Sequence, residues 1–276
     1  MFAQITGAAI RAFLVALLIA MPSLLLPNAD VYGAQFSLIL GLISAAFVLV
    51  EYNSAFPSLL GFRFAPPVNR MRFLAVALSV FVLTALERNT VAPNALTQVL
   101  VSLSSMLGAV TDFPFSPVRL VMLMMPDSTS LSDLAKIRSA SAITYALSLT
   151  SITVFSLIIW WRNWPHGNGA FNVWINLPMF DPTSGGDVVE RLSREARVNI
   201  SLGFVLPFLI PAIVKLAGPF LDPARIVEPQ TLIWTITAWA FIPASLVIRG
   251  FALHRVADLI GEKRRRAFEA ENYQTA

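Results

Sequence analysis

Residues 139–161 read SASAITYALSLTSITVFSLIIWW, which is 23 consecutive residues without a charged side chain. A helix of this length spans about 34 Å at the α-helical rise, slightly more than the roughly 30 Å hydrocarbon core of a bilayer. The run ends in two tryptophans, a residue type that membrane proteins concentrate at the interface with water. We therefore predict a transmembrane helix over this segment.

The rest of the chain has the same character. Of its 276 residues, 56% are apolar and 13% are charged, and the mean hydropathy is +0.69. Soluble domains carry roughly 25% charged residues, and one soluble core could not bury so many apolar side chains. We expect an all-α, polytopic transmembrane helix bundle that forms a single integral membrane domain over residues 1–276.

Six apolar stretches are candidates for crossing the membrane. They lie near residues 7–26, 33–50, 68–86, 139–161, 200–217 and 231–251. The first stretch could pass for a signal peptide, but no convincing cleavage site follows it, so we interpret it as a retained span. The third is the weakest, because it needs arginines at both of its ends to reach the headgroups.

Residues 94–126 are too few for two full crossings separated by a turn. Two apolar runs flank the helix-breaking sequence DFPFSP at residues 112–117. The segment therefore either crosses the membrane once or forms a re-entrant helical hairpin that enters and leaves on the same face.

The distribution of basic residues distinguishes these two topologies. A re-entrant hairpin with both termini cytoplasmic places 13 of the 20 lysines and arginines inside and four outside, whereas a single crossing places 10 inside and seven outside. The positive-inside rule favours the first arrangement. We predict six spans plus the hairpin, and we expect a bacterial cytoplasmic (inner) membrane with both termini cytoplasmic.

The cytoplasmic side is predicted to carry a long loop, 162–199, and a basic tail, 252–276. Within the loop, Asp187 and Glu190 form a capping-box pattern that predicts a short amphipathic helix lying at the membrane surface. Basic residues of this helix and of the tail are the predicted contacts with anionic lipids or a partner protein: Arg191, Arg194, Arg197, Lys263, Arg264, Arg265 and Arg266.

The composition also excludes several classes of function. The chain has no cysteine and only two histidines, so disulfides, iron–sulfur clusters and cysteine-ligated zinc are excluded and a haem or histidine-rich site is not expected. No phosphate-binding glycine loop, nucleophile elbow or acidic metal pair is present. We expect no enzyme activity, no metal and no cofactor. We attribute the net charge of +4 to membrane topology rather than to nucleic acid binding.

Two features are our candidates for a substrate or ion path. Asp112 and Arg119 flank the hairpin turn, where they either contact a solute or are hydrated at headgroup level. Pro207 and Pro211 lie four residues apart, so they remove two helical hydrogen bonds from nearly one face and predict a kink near Lys215. Broken helices often form transporter binding sites, although proline is common in membrane helices and Lys215 can reach the headgroups.

The fourth span carries hydroxyl side chains along one face at helical spacing, formed by Ser141, Thr144, Ser148 and Ser151. Such a stripe usually serves helix packing, and the alternative is a pore lining with Ser148 on the path. The small residues Ser104 and Gly108 predict close helix packing in the same way.

Two functions fit these features better than a lipid-modifying enzyme does. The first is a channel- or transporter-like bundle that moves a small solute or ion. The second is a non-catalytic integral subunit, scaffold or assembly factor, present as a homo-oligomer or in a larger membrane complex. The hairpin and the broken helix favour transport, because a passive scaffold does not need them.

Overall fold

The computed structural model of the protein describes residues 2–27, 31–56, 58–162, 164–165, 171–181, 183, 185–218 and 223–275. These residues form helices throughout and contain no strand. The α-helices are Phe2–Leu25 (α1), Val31–Asn53 (α2), Val68–Asn89 (α3), Ala95–Thr111 (α4), Pro117–Leu123 (α5), Leu131–Trp161 (α6), Val173–Asn176 (α7), Val188–Leu216 (α8) and Pro229–Thr275 (α9). A 3-10 helix, Pro223–Val227, precedes α9.

Six helices of the described part of the chain are long and apolar enough to cross a membrane, namely α1, α2, α3, α6, α8 and α9. The expected all-α class and the six apolar stretches are thereby confirmed. Several helices extend past the predicted spans, because polar residues can continue a helix beyond an apolar stretch. For example, α6 begins at Leu131, where the Ser130 side chain accepts the backbone N–H of Asp133 at 3.1 Å.

Two antiparallel helix pairs pack around the middle of the bundle. Helix α1 pairs with α2 and α8 pairs with α9, while α3, α6 and α9 contact one another. Glycines permit the close approach within both pairs, since Gly41 lies against the backbone of Ala16 and Gly203 against that of Pro243. Helix α2 packs mainly on α1, and most of its large apolar side chains are exposed, as expected for a lipid-facing helix.

The buried apolar residues form two clusters, one toward each end of the bundle. One cluster contains Phe155 and Leu253, and the other contains Leu83 and Ile233. We call the first end the basic end, because the arginines predicted to be cytoplasmic lie there, and the second the opposite end. Along the chain, α1, α3 and α8 run from the basic end to the opposite end, and α2, α6 and α9 run back.

The segment predicted as a re-entrant hairpin contains α4, a turn and α5, but the turn does not reach the middle of the bundle. Asp112 at the turn pairs with Arg138, which is about 10 Å along α6 from its first residue. At the start of α4, Thr97 donates to the side chain of Asn89, the last residue of α3, at 2.7 Å. Both ends of α4 thus lie near the opposite end of the bundle. Penetration of the hairpin into the membrane is not confirmed.

The predicted amphipathic surface helix is not a separate element. Residues 188–199 are the first part of α8, whose N-cap is Asp187, as the sequence predicts. The apolar face of this part, with Leu192 and Ala196 fully buried, packs in the core cluster of the basic end together with residues of α9. Helix α9 continues beyond its apolar stretch and therefore covers the face that was expected to lie on lipid.

Candidate functional site

The turn between α4 and α5 is held by charged and capping residues. The Asp112 carboxylate lies 3.0 Å from the Arg119 guanidinium and 3.5 Å from that of Arg138. Ser116 caps α5 by accepting the backbone N–H of Arg119 at 3.0 Å. Phe115 adopts a left-handed backbone with φ of 66°, which is strained for a bulky residue. The structure thus brings Asp112 and Arg119 together as an ion pair that clamps the turn.

Pro211 of α8 leaves the backbone carbonyl of Pro207 without its helical donor. Residue 211 would normally donate its N–H to the carbonyl of residue 207, but Pro211 has no N–H. The indole Nε1 of Trp239 on α9 donates to that Pro207 oxygen at 3.1 Å instead. Trp239 is 4% exposed, so the bond lies inside the bundle. The sequence places Trp239 within the last span but does not show that it satisfies this carbonyl.

Lys215 connects the end of α8 to the segment that follows α5. Its Nζ donates to the backbone oxygen of Met125 at 3.1 Å, and the exposed Asp127 carboxylate lies 3.9 Å away. The Lys215 side chain is about half exposed. It therefore lies at the edge of the bundle at the opposite end, as expected for a lysine near a helix terminus.

A half-open cavity of about 410 Å³ lies beside the broken part of α8, between this helix, the C-cap residue of α5, the 3-10 helix and α9. Its wall is apolar for the most part and includes Met124, Ile210, Val214, Trp234, Ala238 and Trp239. We call it the α5–α8–α9 cavity. Pro207 does not line it, but Trp239 joins the two features by lining the cavity and bonding to the Pro207 carbonyl.

The size and lining of the cavity define what it can hold. Ligand cavities usually measure roughly 300–1,000 Å³ and are mostly apolar with a few polar groups. The aromatic wall continues behind Trp239, whose ring centroid lies 5.8 Å from that of Tyr145. The apolar part of a small molecule fits this lining, whereas a bare ion does not, since few polar atoms face it.

Comparison with known proteins finds no matching family, no similar curated protein and no similar solved structure.

The hydroxyl stripe of α6 is buried but does not reach the cavity. Thr144 donates to the backbone oxygen of Ala140 at 2.8 Å, and Ser151 donates to that of Ser148 at 2.7 Å. These hydroxyls bond to their own helix, as is usual for serine and threonine in membrane helices. Ser148 is buried and does not line the cavity, and the structure does not bring it together with the other predicted path residues.

A buried ion pair at the opposite end was not predicted from the sequence. Glu87 on α3 is 5% exposed, and its carboxylate lies 2.9 Å from Nζ of Lys136 on α6. Lys136 also donates to the backbone oxygen of Val227 at 3.1 Å. The pair joins three segments of the chain. The only sequence signal is the position of both residues close to helix ends.

A second set of charges lies between α3, α8 and α9 toward the basic end. The Arg249 guanidinium lies 2.6 Å from the Glu195 carboxylate, and Arg72 Nε donates to Ser245 Oγ at 2.8 Å. Arg72 is one of the arginines at the start of the third predicted span that were expected to reach the headgroups. It turns toward α9 because Ser245 provides an acceptor there.

The predicted lipid-contact residues divide into two groups. Arg191 lies 4.7 Å above the Phe180 ring, and Arg264 lies 2.7 Å from the Asp187 carboxylate. The Val189 backbone N–H and the Arg264 guanidinium lower the pKa of Asp187 below its usual range. The side chains of the other predicted contacts are exposed: Arg194, Arg197, Lys263, Arg265 and Arg266. Of these five, Arg266 lies 4.0 Å from the Glu262 carboxylate, one helical turn earlier.

Proposed function

We propose that this protein is a transporter-like helix bundle that moves a small amphiphilic solute across a membrane. The α5–α8–α9 cavity would hold the apolar part of the solute. One observation supports this assignment above others, namely that the cavity lies beside the place where two prolines interrupt the backbone bonding of α8. A helix interrupted in this way can change the angle between its two parts at low cost, which is what exposure to alternate sides requires.

The charges at the opposite end suggest how the solute is oriented. Val214 lines the cavity, and the next residue, Lys215, supplies a positive charge. Among the described residues, the exposed Asp127 carboxylate is the one acidic group within salt-bridge distance of Lys215. We expect the polar group of the solute to face this end. An uncharged apolar molecule would gain nothing from Lys215, and a small ion would gain nothing from the aromatic wall.

A pair of alanine-to-phenylalanine variants tests the proposal. Ala238→Phe places a ring in the cavity, whereas Ala212→Phe makes the same change at an exposed position of α8 away from the cavity. Each protein is reconstituted into liposomes loaded with a small-molecule extract of the expression host. Mass spectrometry then measures which compounds each vesicle loses over time.

Wild type and Ala212→Phe should release at least one amphiphilic compound faster than protein-free liposomes, and Ala238→Phe should not. Thermal unfolding in detergent establishes that Ala238→Phe is folded. Equal retention of every compound in all four preparations would contradict the proposal. So would undiminished release by a folded Ala238→Phe protein, because the path would then bypass the cavity.

The second candidate is a non-catalytic integral subunit, scaffold or assembly factor of a larger membrane complex. It is favoured by α9, which continues as a helix well past its apolar part and carries the exposed basic residues Lys263 and Arg265. This candidate predicts a stoichiometric partner after purification in mild detergent and no release from liposomes by the protein alone. A homo-oligomer would instead be seen as a defined larger mass without a second chain.

For either function we propose that the basic end faces the cytoplasm of a bacterial cell, that anionic lipids surround it, and that the protein is not an enzyme. The concentration of arginines at one end of the bundle supports this orientation. Reporter fusions at both termini provide the test. Signals from opposite sides of the membrane would contradict the orientation.

A further inference from the structure

At the basic end, the loop between α2 and α3 is held in place by Glu51. This carboxylate, near the end of α2, accepts the backbone N–H groups of Ser58, Leu59 and Leu60 at 3.1–3.2 Å and also the Ser58 hydroxyl. The Arg63 guanidinium donates to the backbone oxygens of Glu51 and Ser54. A loop fixed by so many bonds keeps its side chains in defined positions.

This loop and three helices enclose a pocket of about 170 Å³. Three of its lining residues are arginines from different elements: Arg11 from α1, Arg63 from the loop and Arg70 from α3. Tyr52 and Asn69 supply further polar atoms, and no carboxylate residue lines the pocket. We call it the arginine pocket.

The positive charges of the arginine pocket are not neutralised by ion pairs in the described part of the chain. Arg11 donates to the backbone oxygen of Gly7 at 2.6 Å and lies 4.7 Å above the Tyr52 ring. Arg70 is exposed and makes no ion pair or hydrogen bond among the described residues. The nearby Glu51 carboxylate is already occupied by backbone amides. Three guanidiniums thus line a pocket that has no carboxylate among its lining residues.

Arg63 carries a second sign that the pocket is incomplete. The side chain is 7% exposed, and its Nε is buried without an acceptor among the described residues. Burial lowers the pKa of Arg63, and the Glu51 charge raises it again. The preceding residue, Phe62, has a left-handed backbone with φ of 57°. Strained bulky residues cluster at functional sites, and an unpaired buried donor calls for an explanation, which a bound group can provide.

We propose that the arginine pocket binds a phosphate-bearing anion. Guanidinium groups pair with phosphate oxygens in a planar, two-point geometry, and three of them converge here. The volume of the pocket is about that of six water molecules, at roughly 30 Å³ each, which suits a phosphate group rather than a large organic anion. The binding site is separate from the α5–α8–α9 cavity and does not depend on transport.

Two sources of phosphate fit this chemistry. The first is the phosphodiester headgroup of an anionic lipid, because Arg70 is the third residue of the apolar helix α3, at the end where headgroups are found. The second is free phosphate from the aqueous side. The location at the membrane interface favours the lipid, and the experiment separates the two.

Binding is measured on the full chain in mild detergent by native mass spectrometry. The lipid probes in this measurement are dioleoylphosphatidylglycerol and dioleoylphosphatidylcholine. Binding of free phosphate is measured separately, as the change in the thermal unfolding temperature in sodium phosphate compared with sodium chloride at equal ionic strength. The variants are Arg70→Gln and Arg11→Gln. Arg162→Gln is the matched control, because Arg162 ends α6 at the same end, is exposed and does not line the pocket.

We expect wild type and Arg162→Gln to bind phosphatidylglycerol at least about tenfold more tightly than phosphatidylcholine, and each pocket variant to lose about tenfold in affinity. A shift of thermal unfolding by phosphate but not chloride, absent in the pocket variants, would identify free phosphate as the ligand. Arg63 is not varied because it anchors the loop. Pocket variants that respond like Arg162→Gln to both probes would overturn the proposal.

Discussion

The hydrogen bond from Trp239 to the Pro207 carbonyl should contribute to stability because Pro211 has no N–H to donate to this carbonyl. Replacing Trp239 by phenylalanine removes the donor and leaves a buried carbonyl unsatisfied. Replacing Pro211 by alanine restores a backbone N–H four residues after Pro207, so the helix can satisfy the carbonyl itself. The effect of Trp239→Phe should therefore be smaller in the Pro211→Ala background.

The expected size of this coupling follows from the burial of the bond. An unsatisfied buried acceptor costs about 1–3 kcal/mol in proteins, whereas side-chain hydrogen bonds between membrane helices contribute about 0.6 kcal/mol on average and rarely exceed 1.7. Trp239 is 4% exposed and the bond length is 3.1 Å, so we expect a coupling free energy of about 1–2 kcal/mol. The loss of ring area on changing Trp239 to phenylalanine is the same in both backgrounds and cancels.

The measurement is a double-mutant cycle. The four proteins, wild type, Trp239→Phe, Pro211→Ala and the double variant, are unfolded in mild detergent by titration with dodecyl sulfate. Far-UV circular dichroism follows the unfolding, because tryptophan fluorescence would change with the substitution. A coupling below about 0.5 kcal/mol would mean that the two sites act independently, and the account of the freed carbonyl would then be wrong.

Two further predictions concern the packing of α8 on α9 and the start of α8. Gly203→Ala should destabilise the protein by about 1–3 kcal/mol in the same unfolding assay, because the added Cβ would lie 2.6 Å from the Pro243 oxygen. Gly261→Ala is the control: its Cβ would meet no atom within 4 Å, so this substitution should be neutral or stabilising. The pKa of Asp187 is lower in the folded protein than its ordinary value of 3.8, so the ionised carboxylate stabilises the start of α8. This stabilisation is fully present above pH 3.8 and is lost as the pH falls through the folded pKa. Amide exchange of Val189, corrected for its intrinsic rate, should therefore lose protection at low pH in wild type, while Asp187→Ala should be unprotected at all pH values.

The transmembrane helices were predictable because lipid imposes a simple rule on sequence. A chain in hydrocarbon must satisfy its backbone within each helix and cover it with apolar side chains, so spans appear as continuous apolar stretches. Local capping signals are equally direct. Asp187 is the N-cap of α8, as predicted, although its side chain accepts the N–H of Val189 and not that of Glu190.

The start of α8 shows why the same pattern can be misassigned. An apolar face at helical spacing has the same sequence signature whether it lies on a membrane surface or on another helix. The outcome here depends on α9, which continues past its apolar stretch and covers Leu192 and Ala196. Nothing near residue 192 in sequence indicates where α9 ends, so the packing of this segment could not be derived locally.

Pairing between charged residues was also beyond the sequence. Glu87 and Lys136 each lie near a helix end, where contact with headgroups is the simplest expectation. Whether they instead meet depends on how α3 and α6 are rotated about their axes, and that rotation is set by packing with α9. The same holds for Asp112, whose partner Arg119 is close in sequence but whose second partner, Arg138, is not.

The α8–α9 pair combines two kinds of packing, and this explains why a cavity forms where it does. From the basic end to Gly203, small residues bring the two backbones together: a Cβ on Gly250 would lie 2.9 Å from the Ala196 oxygen, and one on Gly203 would lie 2.6 Å from the Pro243 oxygen. Beyond Pro207 the two helices place Ile210, Val214 and Trp234 around the cavity, and Trp239 bonds to the freed carbonyl. Two bulky helix surfaces cannot pack as closely as the glycine contacts allow. The interruption of α8 lies where this change occurs, and the cavity lies beside it.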